Sequence, residues 1–261
     1  MGDAFRELQF ITGSENRVAI LTTLGEGAHT EEELIGATDS SKMTVRRGIE
    51  ALIDRGWVRE TDAGYTTTRA GSFLATEYER MIEAADIAFH VGSVREFFPL
   101  EQMDFDFNCL RDARIEVPPE FDSMREYDRV FKQVEAADHL VAIADFSAER
   151  LTETVLQEVK AGMGYECVYG PHLIDAVRES ESFRATVREL LEHDVEIYRS
   201  TDPDLPTGIA LYDDLVGIGG FDESGSIQAK IESRADPVVE WFNSTYETAR
   251  SEATPLTADQ L

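Results

Sequence analysis

The chain has 261 residues, 42% of them hydrophobic, and sets 52 acidic against 24 basic side chains for a formal net charge of -28. That composition supplies the cores of one large or two ordinary globular domains, while no apolar run approaches the ~18 residues of a membrane-spanning helix. The opening MGDAFRELQFITG has no basic start followed by an apolar core, so no targeting segment, no membrane and a cytoplasmic location are expected.

SENRVAILTTLGEG reads as a first helix, with Ser14 as its cap and Val18, Ile20, Leu21 and Leu24 as its apolar stripe. HTEEELIGATD adds a short second helix capped by Thr30, with Glu33 as the capping-box partner. DSSKMTVRRGIEALIDRG repeats Val45, Ile49, Leu52 and Ile53 at helical spacing and stops at Gly56, which makes a third helix. WVRET and GYTTTRAG, separated by Asp62-Ala63-Gly64, read as a hairpin. Three helices and a hairpin in this order form a winged helix-turn-helix, placed at residues 1–71.

A longer helical pattern over residues 72–98 carries Leu74, Tyr78, Met81, Ile82, Ala85 and Phe89 at spacings of three and four. It connects two domains, and its stripe suits either pairing with a second copy or packing within one chain. Past Pro99, and beyond a Pro118-Pro119 turn, strands and helices alternate. HLVAIADF, YECVYG and VEIYRS are strands separated by helical segments, TGIALYDD, LVGIGGFDE and SIQAKIES follow as strands, and DPVVEWFNSTYETARSEA closes as a helix. The alternation predicts an α/β domain over residues 99–250, followed by a frayed tail at 251–261.

The third helix carries the functional signal. Its apolar back turns Ser41, Lys42, Thr44, Arg46 and Arg47 outward, and the N-terminal part of this helix is the part that enters the major groove in helix-turn-helix proteins. Arginine pairs with guanine O6 and N7, and hydroxyls reach phosphates or bases. Arg59, Tyr65, Thr66 and Arg69 on the wing suit backbone or minor-groove contacts. The competing reading is a solvated face in which these cations pair with Glu50 and nearby acids. The partner expected is double-stranded promoter DNA, read by a homodimer with two half-sites.

Acidity does not oppose this. Residues 1–90 hold 9 basic and 16 acidic side chains and residues 91–261 hold 15 and 36, so the excess lies in the second part. Lys42, Lys132, Lys160 and Lys230 are the only lysines, and acids are spread through every segment. The pattern resembles proteins of halophilic archaea. At ~1 M salt the Debye length falls to ~3 Å, so short-range contacts rather than long-range attraction carry recognition.

The order of pieces resembles a family of archaeal transcriptional regulators first described for a filamentation and methanogenesis regulator (FilR-type, TrmB-like). GSENRVAIL, ALIDRGWV, MDFDFNCLRDARIEVP and GIALYDDLVGIGGFDESG carry the likeness, the run Leu211-Tyr212-Asp213-Asp214 with the later Gly225 most specifically. The resemblance implies an α+α/β architecture with a phospholipase-D-like regulatory domain that senses a small effector or mediates assembly. It also raises a rival, an enzyme cleaving phosphodiesters. That chemistry needs a histidine nucleophile and a phosphate-holding lysine before the aspartate, and alignment on Asp213 puts Pro206 and Gly208 in those positions. No catalytic set, cofactor or metal site is expected. His29, His90, His139, His172 and His193 are scattered, Cys109 and Cys167 read as packing residues, and GIGGF lacks the lysine of a phosphate loop. An effector pocket is expected at the carboxyl ends of the parallel strands, which nominates Asp145, Tyr169, His172 and Asp213. Around VYGPHLIDA, helix-start N–H groups and the His172 ring suit an anion or a hydroxylated metabolite, whereas the plain alternative makes His172 a helix cap and Tyr169 core. A protein-interaction platform without a metabolite is the remaining alternative.

Overall fold

The computed structural model describes residues 2–93, 98, 100, 103–117, 122–146, 149–206, 208–221 and 227–261. Pro118-Pro119 and Gly225 lie outside the described residues. The chain divides into two units, Met1–Ala85 and Asp86–Leu261.

The first unit contains α1 (Asp3–Thr12), α2 (Glu15–Glu26), α3 (Glu31–Thr38), α4 (Lys42–Ile53), β1 (Val58–Thr61), β2 (Gly64–Thr67) and the start of α5 (Arg69–Ser93). Local chemistry sets the boundaries. The Ser14 hydroxyl accepts the Arg17 N–H at 3.4 Å, and Thr30 and Glu33 close a reciprocal capping box. Asp39, at φ 47°, ends α3 in the left-handed region, and Ser41 caps α4 two residues later. The hairpin pairs Val58 with Thr67 and Arg59 with Thr66, and an isolated bridge from His29 to Tyr65 adds a third short extended segment. Ile20, Leu21, Leu24, Leu34, Val45, Ile49 and Leu52 interlock as the core. Helix α4 comes close to α2 because Gly48 has no side chain: a Cβ there would sit 2.6 Å from Ile20 Cδ1. Helix α1 has no side-chain cap and buries only Ile11, so nothing local marked it beforehand.

In the second unit β3 (Arg114–Glu116) and α6 (Ser123–Ala136) precede β4 (His139–Ala144), α7 (Glu149–Ala161), β5 (Gly164–Tyr169), α8 (Pro171–Glu179), α9 (Glu181–Leu190) and β6 (Glu196–Arg199). Then come β7 (Ile209–Tyr212), β8 (Leu215–Phe221), β9 (Ile227–Ser233), α10 (Asp236–Glu252) and β10 (Thr254–Pro255). The strands form one eight-stranded sheet in the order β10-β6-β5-β4-β7-β8-β9-β3. Only β4, β5 and β6 run parallel; β7, β8, β9 and β3 form an antiparallel half. The expected alternation therefore holds for half the sheet, and the architecture is mixed.

Strand alternation divides the sheet between two cores. Ile143, Val168, Ile209, Val216, Ile218 and Ile231 pack with Trp241 and Phe242 of α10. Leu140, Tyr165, Cys167 and Tyr169 point the other way, into a core shared with α7, α8 and α9. The last turns of α5 contribute Ile87 and Val91 to the first of these cores. The tail expected to fray is docked instead. β10 pairs with β6, Leu256 is buried, and Arg178 donates to the Gln260 carbonyl at 2.7 Å. No helix among the described residues is long and apolar enough to cross a membrane.

Candidate functional site

In the first unit, α4 buries Val45, Gly48, Ile49 and Leu52 and leaves Lys42, Met43, Thr44, Arg46 and Arg47 exposed. The Ser41 hydroxyl is spent locally: it accepts the Thr44 N–H at 3.3 Å and meets the Thr44 hydroxyl at 2.8 Å. Lys42 lies 3.5 Å from Glu31, and Arg46 Nε lies 3.2 Å from Glu50 one turn on. The solvated-face reading is thus realised for these two, but an exposed pair of this kind contributes only ~0–1 kcal/mol, so either cation can exchange its partner cheaply. Arg47 makes no hydrogen bond or ion pair with a described residue. Met43 was seen in the sequence only as lying opposite the core; it stands 65% exposed on the Arg46 and Arg47 side of the helix, an apolar group suited to a thymine methyl.

The wing residues separate. Arg59 and Thr66 are cross-strand partners and share a face, while Tyr65 pairs with Glu60 and is half-buried against the core. Tyr65 therefore has a packing role that limits its reach, because its ring faces away from the Arg59 side. Arg69 is exposed at the first position of α5.

In the second unit, Asp145 follows β4 and reaches across to the start of α8. Its Oδ1 accepts the backbone N–H of His172 at 2.8 Å and of Leu173 at 3.3 Å, and its Oδ2 meets His172 Nδ1. Gly170 makes this possible, since a Cβ there would stand 2.3 Å from Asp145 Oδ1. This corrects the anion expected at the helix start: the protein's own carboxylate already occupies those N–H groups, and Asp145 rather than His172 is the cap. The Asp145 hydrogen bond and charge hold the His172 imidazole above its usual range. The ring, 64% exposed, stacks on Phe146 at 5.5 Å, and Phe146 stacks on Phe221 at 6.1 Å.

Asp145, Tyr169 and His172 all line a cavity of about 350 Å³ between the sheet and α6, α7 and α8. Asp213 does not. Because β7 runs antiparallel to β4, its end lies beside His139 at the amino-terminal end of β4, where the Asp213 carboxylate accepts the N–H groups of Asp138 and His139 at 3.1 and 2.9 Å. The carboxyl-end rule failed for Asp213 because it assumes a parallel strand.

Sequence reasoning missed Lys230, 4% exposed on β9, although a lone lysine inside the apolar run SIQAKIES was a visible signal. Its Nζ lies 2.9 Å from Gln133 Oε1 and 2.7 Å from Glu232 Oε1. Glu232 in turn accepts from Arg129 at 2.6 Å and from Gln133 at 2.6 Å. Burial raises the Glu232 carboxyl, but Arg129, Lys230 and Gln133 outweigh it and hold it at about 2. Desolvation pulls the Lys230 ammonium below its usual range despite Glu232. Burial pushes the Cys167 thiol up to about 12, so it is a neutral wall group; Cys109 and Cys167 are both unbridged. The glycines of GIGGF, set aside as a phosphate loop, are strand residues, and Gly217 and Gly219 line the cavity. Among the described residues no group of three or more His, Cys, Asp or Glu could hold a metal ion.

These features define a winged helix-turn-helix unit joined to a mixed α/β unit with an open cavity. A family model described as the HVO_A0261 N-terminal domain matches residues 5–89, and one described as the methanogenesis regulatory protein FilR1 middle domain matches residues 124–252. The two span most of the chain, which belongs to the family of the methanogenesis regulatory protein FilR1. No curated protein matches in sequence. Among solved structures, the archaeal chromatin protein TrmBL2 is 13% identical over 92% of this chain and 93% of its own, with a TM-score of 0.43. NucT from Helicobacter pylori is 8% identical over 55% of this chain and 98% of its own, with a TM-score of 0.41. At these scores neither likeness bears on function.

Proposed function

We propose that the protein is a sequence-specific, DNA-binding transcriptional regulator of the cytoplasm. Residues 1–71 form its DNA-binding domain, 72–98, which include most of α5, connect the domains and dimerise, and 99–250 form a phospholipase-D-like domain that senses a small effector. The observation that carries this reading is α4: a capped helix with a buried apolar back whose outward face offers Lys42, Met43, Arg46 and an Arg47 with no partner among the described residues. Guanidinium groups and an apolar tip in the same first turns are the equipment of major-groove readout. A homodimer is supported by Phe73, Met81, Ile82 and Phe89, large apolar side chains left exposed on α5. Pro206 and Gly208 in the nucleophile and lysine positions support sensing over phosphodiester cleavage.

Chromatin immunoprecipitation with sequencing, comparing the native protein with Arg46→Ala/Arg47→Ala, tests the proposal. Discrete promoter peaks that vanish in the double variant are expected. Equal occupancy by both would refute base reading by α4.

A further inference from the structure

Where the cavity meets the sheet, Ala142, Ala144, Ala210 and Gly217 give a floor of side chains no larger than a methyl, edged by the Tyr212 ring beside Gly217 and by the Phe221 ring, which covers Gly208 and Gly219. The floor residues are cross-strand neighbours: Ala142 pairs with Ala210, and Ala210 with Gly217. Adjacent strands lie ~4.8 Å apart, so such a floor is flat over the width of a six-membered ring. Leu151, Val155 and Leu173 roof it, and Phe146 and Phe221 close the side near His172. The Tyr165 and Tyr169 hydroxyls face each other at 3.4 Å rather than the floor. A phosphate would need helix-start N–H groups, and Asp145 holds those of α8.

A network of ion pairs runs beside this space. Arg114, Arg125, Arg129 and Lys230 are joined by ion pairs to Glu116, Glu126 and Glu232. Within this network Lys230 lines the cavity. An ammonium has three N–H donors; Gln133 and Glu232 take two, which leaves one without a partner among the described residues.

We propose that this cavity takes a small monoanionic ligand with a flat apolar ring, its carboxylate accepting the remaining Nζ–H of Lys230 and its ring lying on the Ala/Gly floor. As the identity of an effector, this rests on the sensing role proposed above; as a binding site, it does not. The ring buries its apolar faces against the floor, and the carboxylate accepts a charge-assisted hydrogen bond from Lys230. The anionic end selects against neutral analogues, because without it the buried N–H stays unpaired.

Isothermal titration calorimetry of the full chain, in concentrated KCl and without DNA, tests the site with benzoate and its neutral isostere benzamide. Benzoate should bind, with benzamide at least about tenfold weaker. Lys230→Met should reduce benzoate to the benzamide level, and Ala142→Leu, which fills the floor, should abolish both. Glu232 keeps Arg129 and Gln133 in Lys230→Met, but if that variant does not fold, the two ligands on the native protein and on Ala142→Leu decide. Equal binding of benzoate and benzamide, no binding of either, or an undiminished benzoate preference in folded Lys230→Met overturns the proposal. If benzoate binds as expected and operator affinity does not change, the site stands and the sensing role fails.

Discussion

Asp145 and His172, 27 positions apart, are joined twice: one carboxylate oxygen takes the His172 backbone N–H at 2.8 Å while the other takes its ring Nδ1. The first bond starts α8; the second fixes the imidazole at the edge of the cavity, with its other nitrogen left for solvent or ligand.

Asp145→Asn separates these effects. The amide still accepts the helix N–H groups, but the charge on the ring is gone, so His172 should titrate near its ordinary 6.5 rather than above it. In the native protein the pair is a raised-pKa histidine. Its stabilising part is complete below 6.5 and disappears as pH rises through the higher folded-state value. An NMR titration of the His172 ring in both proteins measures this, and identical midpoints would show that Asp145 is not the cause.

Glu50 is expected to compete with DNA for Arg46. Removing its charge in Glu50→Gln frees the guanidinium now held at 3.2 Å and should tighten operator binding by about 0.5 kcal/mol, the scale of one exposed helical pair. Fluorescence anisotropy with operator DNA reads the change, and weaker binding by the variant would contradict it.

Glu232 supplies an acid-sensitive brace. Its folded-state value of about 2 lies below the ordinary 4.5, so its contribution is complete above 4.5 and is lost as pH falls through about 2. Urea unfolding should find Glu232→Gln less stable than the native protein by about 3 kcal/mol near neutral pH, with the gap closing across that acid window. A gap that ignores pH would assign the loss to packing alone.

Removal of residues 254–261 strips β10 from the edge of β6 and exposes the groups around Leu256, whose N–H donates to the Ile197 carbonyl at 2.8 Å. A loss of about 2 kcal/mol in urea unfolding is expected from the apolar burial. An unchanged midpoint would mean the segment only rests on the surface.

Local chemistry was enough to read the first unit from α2 onward. Ser14, Thr30 with Glu33, and Ser41 each satisfy their own helix end within three residues, and Val45, Ile49 and Leu52 mark one face by spacing alone. Helix α1 left no such mark, since Ile11 is the only residue it buries. In the second unit every strand from β4 to β9 was visible as an apolar run, but strand direction was not, because pairing is a long-range choice that an apolar run does not encode. That choice moved Asp213 to the amino-terminal end of β4, away from the cavity mouth, and brought Asp145 onto α8. It also set Lys230 of β9 opposite Gly219 of β8, two residues with no local reason to meet. The sequence by itself determined the helix caps, the outward cations of α4 and the apolar segments, all governed by neighbours within a turn or two. Only the tertiary structure decided the cavity, because empty space exists where small side chains from separate strands face the same helices, and no single segment contains it.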